Sequence, residues 1–95
     1  RGWSVFVAPN ASNNSKRLSK SLYEQVGDLK GNRSVPAEKY WTASLAMCRD
    51  TKCPAVLTEN LFQDNKEDVK ILLSDEGKQK IAKIHVNGVL EWMSY

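Results

Sequence analysis

Glu59 is the residue of this 95-residue sequence whose type and position could most directly do chemistry. It closely follows the short apolar run 55–57 within the segment CPAVLTENLFQDN. In open α/β sheets, functional groups gather at the carboxyl ends of strands. A carboxylate at such an end can take a proton from a water molecule as a general base. The alternative is a strand-end glutamate that is solvated or paired with Arg49 or Lys52.

Arg49 and Asn60 are weaker candidates, for contacts with a substrate or for support of Glu59, because both also lie at predicted strand ends. The sequence contains no Ser/His/Asp set, no glycine-rich phosphate loop and no Cys/His cluster. His85 is its single histidine and lies beside an apolar helix face, where we expect a packed, hydrogen-bonded side chain. A catalytic zinc needs three protein ligands, so the chain by itself does not supply a complete active site.

Two cysteines, Cys48 and Cys53, are too few to define a disulfide framework. Their spacing of four intervening residues matches no usual zinc pair. We therefore expect two reduced thiols that face the core.

The composition is that of a small globular domain, with 41% hydrophobic and 26% charged residues. The net charge of +3 suits an anionic partner, including an anionic wall polymer, without selecting one. The basic residues are scattered and form no ribbon with the aromatic residues, which disfavours nucleic-acid binding. No apolar run approaches the roughly 20 residues that span a bilayer, and no signal peptide is visible in the sequence.

Apolar spacing predicts three strands, at Trp3–Val7, 44–48 and 55–57. The continuous apolar character of the third predicts a strand covered on both faces. Three helices are predicted as well. The first spans 16–26, with Ser15 as N-cap and Gly27 as C-cap.

The second predicted helix is Lys66–Leu73, capped by Asp64 or Asn65, and Ser74 opens the third. The apolar face of the third helix is formed by five residues at helical spacing: Ile81, Ile84, Gly88, Val89 and Trp92.

These elements predict an α/β fold in which the chain is the C-terminal half of a mostly parallel, twisted sheet flanked by helices. Three strands and about three helices leave sheet edges uncovered, so residues 1–95 are expected to form a single partial domain. An exposed edge predicts pairing, either as a dimer or with a missing N-terminal half.

Motifs between Arg49 and Ile84 resemble the C-terminal end of the zinc-dependent N-acetylmuramoyl-L-alanine amidases of the family-3 type. The stretch GWSVFVAP near the start resembles the strand that follows the second zinc histidine of that family, and the helix after it is similar too. The first matching motifs are an Arg-x-Thr-x-x-Pro lead-in (Arg49, Thr51, Pro54), a strand ending in Glu59, and Phe62 after it. They continue with an Asn-x-x-Asp helix start (Asn65, Asp68), a Leu-Leu-Ser turn (Leu72, Leu73, Ser74) and an Ile-Ala pair (Ile81, Ala82).

The resemblance implies hydrolysis of the amide between N-acetylmuramic acid and the L-alanine of the peptidoglycan stem. In this family a zinc held by two histidines and a glutamate activates a water, and a further glutamate at the position of Glu59 acts on that water. It also implies a bacterial autolysin or phage endolysin that acts at the cell wall, with peptidoglycan as partner and with neither nucleic acid nor membrane.

The zinc ligands of the family belong to a segment before Gly2, and His85 matches none of them. The resemblance therefore implies zinc in the complete enzyme but none bound to this chain, which alone is expected to be inactive. Leu61 stands where the family often carries glycine. Two alternatives stay open: a non-catalytic binding or assembly module derived from this fold, and a small basic binding domain unrelated to cell walls.

Overall fold

A three-stranded sheet forms the centre of the chain in its computed structural model, which describes residues 1–31, 34–44 and 53–94. The strands are β1 (Trp3–Val7), β2 (Trp41–Thr42) and β3 (Leu57–Asn60). The helices are α1 (Asn13–Tyr23), α2 (Lys66–Leu73) and α3 (Asp75–Met93), with a short 3₁₀ helix at Gly27–Lys30. The predicted α/β class is confirmed.

The sheet is mixed, with the strand order β2-β1-β3. β1 runs parallel to β2, as expected across the α1 crossover, but antiparallel to β3. Among the described residues, β1 is therefore the central, buried strand, whereas β3 lies at an edge of the sheet and is only half-buried. The prediction of coverage on both faces of the third strand was wrong, because its apolar run 55–57 mostly precedes an edge strand.

The helix boundaries follow the caps that the local chemistry provides. Asn65 accepts backbone N–H bonds at the start of α2, and Ser74 does the same for α3, as predicted. α1 begins earlier than predicted, with Ser12 as its N-cap in place of Ser15. It ends at Tyr23, so Gly27 is not its C-cap but begins the 3₁₀ helix.

The core lies between the sheet and the packed pair α1 and α3. It contains side chains from β1, α1, the turn that follows α1, the 3₁₀ helix, the turn after β3, and α3: Trp3, Val5, Leu22, Val26, Leu29, Leu61 and Ile84. The predicted apolar face of α3 is buried at Ile84 and Gly88, while Val89 is 37% exposed.

α1 and α3 approach each other closely at Gly88. A Cβ atom there would lie 2.8 Å from the Cα of Leu22, so a larger residue does not fit without a shift. Beside this contact, the buried hydroxyl of Ser21 donates a 2.7 Å hydrogen bond to the carbonyl oxygen of Gly88. The two helices are thereby fixed in register over the sheet.

Two further expectations concern the middle of the chain. The strand predicted at 44–48 lies mostly outside the described residues, and the observed β2 precedes it. Cys53 is exposed, so its predicted core position was wrong, and Cys48 lies outside the described residues. No helix within the described residues is long and apolar enough to cross a membrane.

Candidate functional site

Glu59 lies one residue before the end of β3 and is exposed. The predicted strand ended before it, whereas β3 extends through it to Asn60. Ser4, which is fully buried, is its register partner on β1. Among the described residues, no hydrogen bond or ion pair engages the Glu59 carboxylate, so it is available to a ligand in solvent. Arg49 and Lys52, the alternative partners, lie outside the described residues.

A surface groove of about 550 Å³ adjoins Glu59. It is lined by the end of β3, the turn that follows and one side chain of α2: Glu59, Asn60, Leu61, Phe62, Gln63, Asp64 and Leu72. The groove thus combines two carboxylates with apolar side chains, which is the mixture that a polar ligand with apolar parts requires.

The Asn60 side chain lies on the opposite face of β3 from Glu59, because side chains alternate along a strand. Its oxygen accepts a 2.7 Å hydrogen bond from the indole N–H of Trp3, and its nitrogen lies 3.5 Å from the Thr58 hydroxyl. Of the two roles predicted for Asn60, this geometry favours support of the strand over contact with a substrate.

His85 belongs to the same network, as the expectation of a packed, hydrogen-bonded histidine requires. Its Nδ1–H donates a 2.8 Å hydrogen bond to the carbonyl oxygen of Ile81, since a carbonyl oxygen only accepts. Its Nε2 lies 3.1 Å from the Thr58 hydroxyl, and its ring meets that of Trp3 edge-on. Both ring nitrogens are therefore occupied by protein partners.

The turn after β3 has an unusual backbone at Leu61. This residue has φ = 73°, in the left-handed region that favours glycine, and its side chain is only 7% exposed. A non-glycine residue keeps such a conformation when its surroundings over-determine it. The burial of Leu61 in the core supplies part of that constraint.

Asp68 also constrains this turn, although the sequence predicted no functional role for it. Its fully buried carboxylate oxygen Oδ2 accepts hydrogen bonds from the backbone N–H of Gly2 and of Phe62, both at 2.9 Å. Arg1 lies 3.8 Å from the other oxygen and pairs with Glu67 at 3.0 Å. In the sequence, the Asn-x-x-Asp motif indicates only a helix start. The contact with Gly2 has no local signal, because Gly2 is 66 residues away.

A metal centre does not fit the part of the chain that the structure describes. These residues contain no group of three His, Cys, Asp or Glu side chains placed to hold an ion. His85 is engaged in the core network, and Asp68 points its bonded oxygen at two backbone N–H groups. The chemistry that the described site supplies is therefore an accessible carboxylate on a constrained strand.

Separate comparisons with known proteins agree on one family. The family model for N-acetylmuramoyl-L-alanine amidase matches residues 1–91. The endolysin of Bacillus phage SPP1 is 31% identical over 86 residues, which are 90% of this chain and 32% of that protein. The amidase CwlM of Bacillus licheniformis is 46% identical over 48 residues, which are 50% of this chain and 19% of that protein.

A solved structure shares the fold. The CwlD amidase of Clostridioides difficile, determined in complex with the GerS lipoprotein, superposes with a TM-score of 0.83 at 25% identity. The match covers 98% of this chain and 46% of that one. The chain thus spans a third or less of the curated relatives and about half of this structural relative.

Proposed function

The chain belongs to the N-acetylmuramoyl-L-alanine amidase family, and from that membership we propose that it is the part of a peptidoglycan amidase that carries the general base, Glu59. The proposed reaction cleaves the amide between the lactyl group of N-acetylmuramic acid and the L-alanine of the stem peptide. Its site of action is the cell wall, as the names of the endolysin and amidase relatives support.

The observation that carries the proposal is the accessibility of Glu59 near the end of a strand whose other face is locked in a polar network. Glu59 takes a proton from the water that attacks the amide carbonyl. The same proton then passes to the leaving nitrogen, so that a carboxyl group and a free amine result. The groove beside Glu59 is the proposed place for the stem peptide.

Zinc is assigned to the complete enzyme and not to the described residues, which hold no suitable ligand set. The isolated chain is proposed to be inactive for the same reason.

The test is the Glu59→Gln substitution in an intact amidase that contains this chain. Removal of a general base lowers rates by about 10²–10⁴-fold, so release of free amino groups from purified peptidoglycan should fall by that factor while zinc content stays unchanged. Glu24→Gln is the matched control, because Glu24 is also exposed but lies at the end of α1. Undiminished hydrolysis by Glu59→Gln refutes the proposed role.

A non-catalytic wall-binding or assembly module is the second candidate. The lack of a metal-ligand set among the described residues favours it for the chain on its own. In that case the chain sediments with purified peptidoglycan, and Glu59→Gln sediments equally well. Failure of the chain to bind peptidoglycan removes the wall-binding form of this candidate.

The proposed partner surface of the chain is the outer edge of β3. Within the described part of the sheet this strand pairs on one side only, with β1. An unpaired edge offers backbone N–H and C=O groups to another strand, either from a second copy or from the rest of the amidase. Sedimentation velocity at rising concentration tests the first choice, and a monomer at every concentration excludes it.

A further inference from the structure

We propose that Asp68 is a positioning residue for Glu59, and that its buried carboxylate holds the turn after β3 against the start of β1. This inference rests on the proposed catalytic role of Glu59. It assigns a function to a side chain that touches neither the groove nor the substrate.

The contacts of Asp68 join three elements at one atom. Asp68 itself lies in the first turn of α2, where its own N–H is capped by Asn65. Its Oδ2 accepts the N–H of Gly2, just before β1, and the N–H of Phe62, two residues after β3. The ends of two paired strands are thus tied to the same helix.

Both contacts lie just beyond the end of the β1–β3 pairing that is nearest to Glu59. Trp3 pairs with Asn60, and the next pair is Ser4 with Glu59. Gly2 lies one residue beyond that end of the ladder, and Phe62 lies two residues beyond the other strand. Asp68 therefore closes the ladder at the end nearest to Glu59, where a strand would otherwise fray.

The positive φ of Leu61 makes this closure necessary. Leu61 lies between the last strand residue and Phe62, in a conformation that its side chain disfavours. Without the acceptor on the Phe62 N–H, only the burial of the Leu61 side chain opposes relaxation of the turn toward negative φ and a shift of the end of β3. A displacement of about 1 Å at a reacting group can lower a rate 10²-fold.

Gly2 is held from the other side as well. Its φ is 123°, and a Cβ atom there would lie 2.1 Å from the carbonyl oxygen of Lys30. The backbone of Gly2 therefore has little freedom, so it serves as a fixed point from which Asp68 positions Phe62. The opposite oxygen of Asp68 receives no hydrogen bond from the described residues and lies near Arg1.

The test compares Asp68→Leu, Asp68→Asn and Ser21→Ala in the intact amidase, at a temperature where all are equally folded by circular dichroism. Asp68→Leu loses both hydrogen bonds, and kcat should fall by up to about 10²-fold with little change in KM, because Glu59 is displaced. Asp68→Asn can place its amide oxygen at the Oδ2 position, so kcat should stay within about threefold of the wild type. Should Asp68→Leu not fold, Asp68→Ser takes its place, since its shorter side chain does not reach both N–H groups.

Ser21→Ala is the matched control for general loss of stability. It also removes a buried hydrogen bond, to Gly88, but lies between α1 and α3 and away from the turn. Its kcat should equal that of the wild type. Equal kcat values for Asp68→Leu and Ser21→Ala overturn the positioning role, as does an Asp68→Asn variant as slow as Asp68→Leu.

A second measurement does not depend on activity. In this chain, amide hydrogen exchange of Phe62 should accelerate at least tenfold in Asp68→Leu relative to Ser21→Ala, and unchanged exchange contradicts the inference. The two proposals also fail separately. Loss of activity in Glu59→Gln with full kcat in Asp68→Leu refutes positioning alone, whereas full activity in Glu59→Gln refutes the proposed function.

Discussion

The indole N–H of Trp3 donates a 2.7 Å hydrogen bond to the side-chain oxygen of Asn60, its register partner across β1 and β3. Trp3 is fully buried, so this acceptor satisfies a polar group that water does not reach. The hydrogen bond secures β3 from the face opposite Glu59. Asn60, next to the proposed general base, therefore serves to accept this hydrogen bond and stabilise the strand.

Replacement of Asn60 by alanine should lower the free energy of unfolding by about 1–3 kcal/mol, because the buried Trp3 N–H loses its acceptor. Urea titration followed by tryptophan fluorescence measures the change. Asn10→Ala is the control, since Asn10 is exposed in the loop after β1. Equal midpoints for the two variants would show that the hydrogen bond contributes nothing.

At Leu61, the usual order of stability, in which an alanine variant is more stable than a glycine variant, should not hold. Leu61→Ala loses buried side-chain contacts at a cost of about 2–5 kcal/mol and keeps the unfavourable positive φ. Leu61→Gly loses slightly more side chain but relieves about 1–2 kcal/mol of backbone strain, so it should be at least as stable as Leu61→Ala.

Ile84 provides the comparison for that order. It is equally apolar and buried but lies inside α3 with helical backbone. There the glycine variant should be less stable than the alanine variant by about 1 kcal/mol. If Leu61 and Ile84 give the same order in chemical denaturation, the positive φ of Leu61 is not a source of strain.

Gly88→Ala should destabilise the chain by about 1–3 kcal/mol, because the new methyl group meets the backbone of Leu22. Helix propensity alone predicts a gain of about 1 kcal/mol, so the sign of the change distinguishes the two effects. Thermal unfolding measures it. Asn87→Ala, one residue earlier on the exposed side of α3, should be neutral or stabilising. A rise in melting temperature for Gly88→Ala would contradict the close helix contact.

Zinc titration of the isolated chain should show no stoichiometric binding, because the described residues offer no set of three metal-ligating side chains. Equilibrium dialysis with metal analysis measures the stoichiometry, and an intact amidase of the family serves as the positive control. One equivalent of zinc bound by the chain, and lost in His85→Ala, would show that the ligand assignment is wrong.

Local sequence signals determined much of the secondary structure. Asn65 and Ser74 cap α2 and α3 where their side chains predict, because an N-cap needs only a short polar side chain before a helical segment. The motifs from Arg49 to Ile84 also identified the family, since they reflect residue types at fixed spacing. The functional roles given to Glu59, Arg49 and Asn60 remain predictions.

Tertiary contacts decided what those signals left open. Ser12 and Ser15 are equivalent as caps by sequence, but the Ser15 hydroxyl accepts the N–H of Ala55, so Ser12 caps α1. The antiparallel direction of β3 has no local signature either, because an apolar run is the same in both directions.

Asp68 shows most clearly what the sequence predicts and what only the tertiary structure decides. Its place in an Asn-x-x-Asp helix start follows from sequence, but its two acceptor contacts join residues 66 and 6 positions away. Short-range propensity acts over a few residues, so it determined the caps of α2 and α3 and the amphipathic faces of the helices. Only the packed chain brings the N–H groups of Gly2 and Phe62 to one buried oxygen, because that meeting depends on how the sheet and α2 dock together.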